Sequence, residues 1–377
     1  MKHLCIVSDQ LMPNFLPCLD ANLCPDEVTL IVSDVPNIRK KAEYFKSIIR
    51  TKGISISDDI VVTKTYDVNE LQSKLLKWVE THENDDYCLN ATGGTKVMSF
   101  VAYEALREFN IPVFYIEIST DEVVWLTQHK PATEVEQIRK LTGDKPTLHQ
   151  YFTLNGITVE SKDESQINQY WQGLIKTFVD KQNEWQHHIG LLNKIASNLE
   201  QTNSLRNNES VNIPQDLLEA LHANELIKYE NNNRFEFKNV EARYFCNGGW
   251  LEEYVYQTLM NLIKNNRRVQ KNVKINSTDK TLNFPNELDV VTLYKNTCFV
   301  FECKTKNLKE EQTVNDIIYK LQAIIGRRLA LRTKGVIVSY RNVSKQYKER
   351  AEGFGIKIID DLSRLEELLK QELRFDE

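Results

Sequence analysis

From residue 1 to about 130, short apolar runs alternate with amphipathic stretches. HLCIVS, VTLIVS, IVVTK, YCLNA and IPVFYIEI read as strands, whereas IRKKAEYFKSIIR, ELQSKLLKWVE and VMSFVAYEALREF repeat apolar residues at helical spacing. Alternation of this kind predicts a parallel sheet covered by helices, and EVVWLT adds an antiparallel strand after a turn at Thr120-Asp121. The fold class is therefore α/β, with a Rossmann-like domain over residues 1–145.

The pattern loosens over residues 146–240. INQYWQGLIKTFVDK and WQHHIGLLNKIASNL read as helices and EQTNSLRNNESVN as a polar loop; PQDLLEALHANELIKYE and NNNRFEFKN then outline a helix and hairpin. This mostly helical connector has the shape of a winged helix, which serves either to read DNA or as an inert spacer. No dense basic run precedes the hairpin, which favours the spacer. Residues 241–377 form a second α/β domain. It has a helix from Trp250 to Ile263, strands in RVQKNVKI, NELDVVTLY and TCFVFECKTK, a helix near 311–325, the strand GVIVSY and an amphipathic helix in SRLEELLKQELR.

Composition narrows the classes. The 377 residues are 41% hydrophobic and 27% charged, with no apolar run long enough to cross a bilayer and no signal-peptide pattern at Met1-Lys2-His3, so a soluble, cytoplasmic protein without membrane partners is expected. Seven cysteines form no Cys-x-x-Cys pair and read as reduced core thiols. The seven histidines include no HExxH, so any metal site must be built from carboxylates. The net charge of −5 conceals an asymmetry: residues 241–350 hold 20 Lys and Arg against 11 Asp and Glu, an excess suited to nucleic acid.

Within that basic segment, NELDVVTLYKNTCFVFECKT places carboxylates and a lysine in apolar strands, where an unpaired charge is expensive to bury. With Lys295-Asn296 as a two-residue turn, Tyr294 pairs with Thr297 and Asp289 falls opposite Glu302; Lys304 points to the same face. Two carboxylates so close repel unless a divalent cation sits between them. Magnesium or manganese held there polarises a phosphoryl oxygen and activates water, while the ammonium stabilises developing charge. These are the parts needed for phosphodiester hydrolysis. The alternative is an ion-pair network that neutralises itself.

A second motif, NATGGTKVMSF at residues 90–100, lacks the first spaced glycine of a Walker A loop, and no GxGxxG follows the first strand. Its glycines still permit close backbone approach at a helix N-terminus, which favours a phosphate or ribose ligand. Ligands of Rossmann-like sheets gather outside the C-terminal strand ends, so SDQLMPNF after the first strand belongs beside it. Gln10, Asn14 and the backbone near Met12-Pro13 are candidates for reading adenine edges or ribose. The alternative is that SDQ caps the next helix.

Asp289 followed by Glu302-Cys303-Lys304 resembles the PD-(D/E)xK nuclease superfamily, with Glu287-Leu288-Asp289 in place of Pro-Asp. GGWLEEYV resembles that superfamily's Gly-x-x-Glu helix and maps its carboxylate onto Glu252, although a first-turn glutamate is also favoured by the helix dipole. Gln322 in YKLQAIIG is a further candidate for the same cleft, or an exposed glutamine. Combined with the Rossmann-like domain, the chain resembles the CRISPR-associated Rossmann-fold (CARF) effector nucleases of type III immune systems.

That resemblance implies a restriction-endonuclease-like C-terminal domain with catalytic Asp289, Glu302, Lys304 and Glu252. It implies a manganese or magnesium ion on Asp289, Glu302 and the backbone carbonyl of Cys303. It also implies a homodimer that binds a cyclic oligoadenylate, cyclic tetra-adenylate foremost, across the CARF interface. The binding residues would be Ser8, Asp9, Gln10, Leu11, Met12, Pro13 and Asn14 with Thr92, Gly93, Gly94, Thr95 and Lys96. The implied activity is hydrolysis of single-stranded DNA, RNA or both, with nicking of duplex DNA. Two further readings stand beside it: a constitutive restriction-like or repair nuclease, and a CARF transcription regulator with an inactive nuclease fold.

Overall fold

A computed structural model describes residues 1–82, 85–127, 137–163, 169–230, 234–278, 285–305, 311–327 and 332–375. Strands β1 (Lys2–Ile6), β2 (Glu27–Ser33), β3 (Ser55–Ile56), β4 (Ile60–Val62), β5 (Tyr87–Asn90), β6 (Val113–Glu117), β7 (Glu122–Thr127) and β8 (Ile138–Lys140) make the N-terminal sheet. Its order is β3-β2-β1-β5-β6-β7-β8, with β4 also on β2. The strands run parallel through β6; EVVWLT is the expected antiparallel β7, and β8 follows it antiparallel.

Helices α1 (Met12–Phe15), α2 (Pro36–Thr51), α3 (Val68–Thr81) and α4 (Lys96–Arg107) join these strands. Leu71 and Leu75 of α3 and Met98, Ala102 and Leu106 of α4 cover one sheet face, while Phe45, Ile48 and Ile49 of α2 belong to the core on the other. The chain goes from β1 to one neighbour, β2, and only later returns to the other, β5. The crevice outside β1 and β5 is therefore a topological switch point, where such sheets bind ligands.

After α5 (Leu148–Leu154) the strand β9 (Ile157–Asp163) leaves the N-terminal sheet altogether. It lies within the stretch read as connector, yet it is the edge strand of the C-terminal sheet. Only Ile157 and Val159 turn inward while Thr158 and Glu160 are exposed, so its apolar alternation is too short to signal a strand. Helices α6 (Gln172–Asp180), α7 (Gln182–Gln201) and α8 (Gln215–Ala223) follow, with a small sheet of β10 (Arg206–Asn207), β11 (Ile227–Glu230) and β12 (Arg234–Phe237) ordered β10-β12-β11.

The remaining elements are α9 (Val240–Tyr244), α10 (Trp250–Ile263), β13 (Val269–Ser277), β14 (Asn286–Tyr294), β15 (Thr297–Lys304), α11 (Glu311–Arg327), β16 (Thr333–Ser339), α12 (Lys345–Gly353), β17 (Ile356–Ile359) and α13 (Leu365–Leu373). They form a sheet ordered β17-β16-β15-β14-β13-β9, antiparallel from β9 to β15 and parallel from β15 to β17. The middle helices share its core. Phe178 of α6 stands edge-on to Trp250 at 5.1 Å, and the Gln182 carboxamide donates to the carbonyls of Tyr340 and Asp360 at 2.8 Å each. Leu217 and Leu221 of α8 and Phe235 and Phe237 of β12 belong to the same core as Trp250.

All seven cysteines are free thiols; six are buried, but Cys24, read as a core thiol, is exposed. Among the described residues, no helix is long and apolar enough to cross a membrane.

Candidate active site and ligand crevice

Strands β14 and β15 meet in the expected register, with Tyr294 opposite Thr297 and Val290 opposite Phe301. Lys295 and Asn296 carry φ values of 45° and 56°, the pair of left-handed residues that a type I′ hairpin turn requires. One residue beyond Val290, the same register sets Asp289 against Glu302. Asp289 Oδ2 accepts from the Cys303 amide at 2.7 Å, and Lys304 Nζ lies 2.7 Å from Glu302 Oε1 and 3.4 Å from Asp289 Oδ2. A residue outside the hairpin joins them: Lys320 of α11 reaches Glu302 Oε1 at 3.2 Å. Gln322, two positions further along α11, is half-buried.

Adjacent glutamates on α10 diverge. Glu253 is buried and ion-paired with Lys271 of β13 at 2.7 Å, a structural pair. Glu252 turns toward the hairpin, where Tyr244 Oη donates to its Oε2 at 2.5 Å.

Electrostatics separate the carboxyls. Burial, and then the charge of Asp289, push Glu252 up to about 7. Burial likewise raises Asp289 despite the attraction of Lys304. For Glu302 burial acts upward too, but Lys304 and Lys320 outweigh it and hold this carboxyl below the ordinary range. Lys304 is stabilised as an ammonium by Asp289 and Glu302 against the cost of burial. The Cys303 thiol is held well up by burial and the surrounding carboxylates, so it stays neutral.

The donor set fits a hard divalent ion. It consists of the Asp289 and Glu302 carboxylates and the Cys303 carbonyl oxygen, and burial destabilises Asp289 as an anion, the condition that coordination relieves. Among the described residues no three His, Cys, Asp or Glu side chains converge on one point; the Lys304 ammonium stands between Asp289 and Glu302.

At the switch point of the N-terminal sheet, the two predicted loops touch. Asn90 Nδ2 donates to Pro13 O at 2.9 Å, and Asn14 Nδ2 donates to Ile6 O at 2.9 Å. A Cβ on Gly93 would lie 2.0 Å from Ile6 O, and one on Gly94 would lie 2.3 Å from Ile6 Cγ2, so both glycines are required for the β5–α4 loop to lie against β1. Thr92 Oγ1 donates to Asn90 Oδ1 at 2.6 Å and accepts from Ile116 N at 2.8 Å; Thr95 Oγ1 caps α4 by accepting from Met98 N. Ser8 Oγ donates to Gln10 O and Asp9 accepts from Asn37 rather than from a following helix amide.

Not every expected ligand residue opens to the crevice. Leu11, Met12, Pro13 and Asn14 are buried and pack or brace the loop, whereas Asp9 and Lys96 are exposed and Ser8, Gln10, Thr92, Gly94 and Thr95 are half-buried. Asn14 gives its Nδ2 to the end of β1, and its buried Oδ1 has no hydrogen-bond partner. A cleft of about 670 Å³ lies at neither site but between the β6–β7 turn and the tip of the β14–β15 hairpin.

A Rossmann sensor with a crevice at its switch point and a hairpin of Asp, Glu and Lys define a ligand-sensing nuclease. Residues 3–151 match the family model for the Card1 CARF domain, and residues 239–375 match that for the Card1-like endonuclease domain. The chain belongs to this family of CARF effector nucleases. Its fold is similar to that of Can2 from Sulfobacillus thermosulfidooxidans, solved in complex with cyclic tetra-adenylate, at 26% identity over 99% of both chains and a TM-score of 0.80. Protein VC1899 from Vibrio cholerae shares the fold at 23% identity over 99% and 97% of the two chains, TM-score 0.85. A type III CRISPR defence DNA nuclease activated by cyclic oligoadenylate aligns at 15% identity over 98% of this chain and 52% of its own, TM-score 0.58. A comparison with curated proteins gives no match.

Proposed function

We propose that this protein is a homodimeric, metal-dependent endonuclease of the PD-(D/E)xK type, switched on by cyclic tetra-adenylate in type III CRISPR defence, that hydrolyses single-stranded DNA or RNA. The observation that carries the reading is the Asp289, Glu302 and Lys304 cluster on one hairpin, in a chain that matches the Card1 CARF domain over residues 3–151 and shares the fold of a relative solved with cyclic tetra-adenylate. A constitutive nuclease would leave the crevice without purpose, and a DNA-reading regulator would leave three costly buried charges without one.

Asp289 and Glu302, with the Cys303 carbonyl, would hold the ion. When bound, a divalent cation supplies Lewis-acid polarisation of a phosphoryl oxygen and acidifies water. Lys304 presents its ammonium to the non-bridging oxygens, where negative charge develops. Glu252, fixed through one oxygen by Tyr244, has its other carboxylate oxygen for the proton that the attacking water loses. In balance, the water oxygen forms a new bond to phosphorus, the bond to the leaving sugar oxygen breaks, and that oxygen takes up a proton.

Ring and dimer share a twofold symmetry, so each chain can bind half a cyclic tetranucleotide. Lys96 and Phe100 lie four residues apart on one face of α4, and Phe100 is 71% exposed, an apolar surface that a second copy would cover beside the crevice. A route to the active site also exists in the contacts. Thr92 braces β6 through Ile116, and the β6–β7 turn carries Asp121, whose carboxylate accepts from Asn296 at the tip of the catalytic hairpin. Calorimetric titration with cyclic tri-, tetra- and hexa-adenylate tests the sensor half of the proposal. It predicts saturation by the tetra-adenylate at one ring per two chains; heat from none of the three would contradict it.

A further inference from the structure

Glu252 is held from outside its own helix. Tyr244 Oη donates to its Oε2 and accepts from Asn272 Nδ2 at 2.7 Å, so a Tyr–Asn relay fixes one carboxylate oxygen and leaves the other for the reaction. Unusual backbone delivers both partners. Between α9 and α10 the chain kinks over Phe245–Gly249, with Gly248 at φ 107°, which folds the Tyr244 ring back over the start of α10. Gly249 leaves the ring its space, since a Cβ there would sit 2.5 Å from Tyr244 Cε1. Asn272 adopts φ 49°, rare for a residue other than glycine, at the point of β13 where the ladder to β14 skips Asp289.

A left-handed residue other than glycine inside a strand costs free energy, and it persists where a side chain has to be aimed. Packing alone gives little reason for this one, because Tyr244 is 38% exposed. Resting on the nuclease reading above, we propose that Tyr244 and Asn272 are positioning residues, which hold the Glu252 carboxylate on the Asp289 side of the hairpin for hydrolysis. Glu253 needs no such device, being fixed by Lys271.

The test uses the full-length protein with manganese, cyclic tetra-adenylate and labelled single strands. Tyr244→Phe keeps the ring over Gly249 and removes only the hydroxyl; Asn272→Gly keeps the positive φ and removes only the carboxamide. Loss of a hydrogen bond to a charged group predicts that each lowers kcat about tenfold or more, with KM and the melting temperature unchanged. The double variant should be no worse than the weaker single one. In a Glu252→Gln background, Tyr244→Phe should change kcat less than about twofold, since the group it positions is gone. Wild-type kcat in Tyr244→Phe, additive losses, or an undiminished effect in the Glu252→Gln background overturns the proposal while leaving the nuclease reading intact. A wild-type protein that cuts nothing, with either nucleic acid, overturns both.

Discussion

Glu252 and Glu253 are neighbours on one helix, and the chemistry of the site follows from what each of them meets. Glu253 faces Lys271 in the core, so Lys271→Met, which strands a buried carboxylate, should cost about 3–5 kcal/mol in urea unfolding. Glu252 is raised from 4.5 to about 7, and the fold therefore favours its neutral form. That contribution to stability is full below pH 4.5 and is lost as pH rises through 7. In EDTA, Glu252→Gln should melt above the wild type at pH 8 and no higher at pH 4; equal melting at pH 8 would count against the buried-carboxyl assignment. Asp289, Glu302 and Lys304 were legible in the sequence because they lie on one hairpin whose turn fixes their register. Tyr244, Asn272 and Lys320 were not, since they enter the site from α9, β13 and α11, and no local spacing relates those elements to the hairpin.

Among the elements, the β5–α4 loop carries a packing demand that its motif does not announce. GG was read as a cradle for an anion, and the structure adds a second demand, that both glycines lie in contact with Ile6. Gly94→Ala meets a φ of 81° as well as Ile6 Cγ2, and should cost about 1–3 kcal/mol and weaken cyclic tetra-adenylate binding. Calorimetry on the variant, with its unfolding midpoint alongside, separates loop damage from loss of the fold. The parallel strands and long amphipathic helices were readable from their periodicity. Strand β9 was not: it is polar along most of its length, and its partner β13 lies more than a hundred residues away, so only tertiary pairing makes it a strand. If α4 forms the proposed dimer interface, Phe100→Glu should convert a dimer to a monomer in sedimentation velocity; unchanged sedimentation would contradict that interface.

Across the whole molecule, sensor and nuclease are joined where the β6–β7 turn meets the catalytic hairpin, a contact that neither sequence segment announces. Asn296 is 3% exposed, sits at the tip between Asp289 and Glu302, and donates to Asp121, which Lys145 also holds at 3.0 Å. Asp121→Ala spares the hairpin's own turn residues and should lower the activated rate toward the basal one without changing activator affinity, as expected for a lost coupling contact. The central claim is that the hairpin cuts and the crevice decides when. Its most direct measurement is the single-turnover cleavage rate of a labelled single strand with manganese, with and without cyclic tetra-adenylate, in the wild type and in Asp289→Ala. The account predicts a rate that rises at least about tenfold with the activator in the wild type and stays at background in Asp289→Ala under both conditions. Equal wild-type rates with and without activator, or activated cutting by Asp289→Ala, would contradict it.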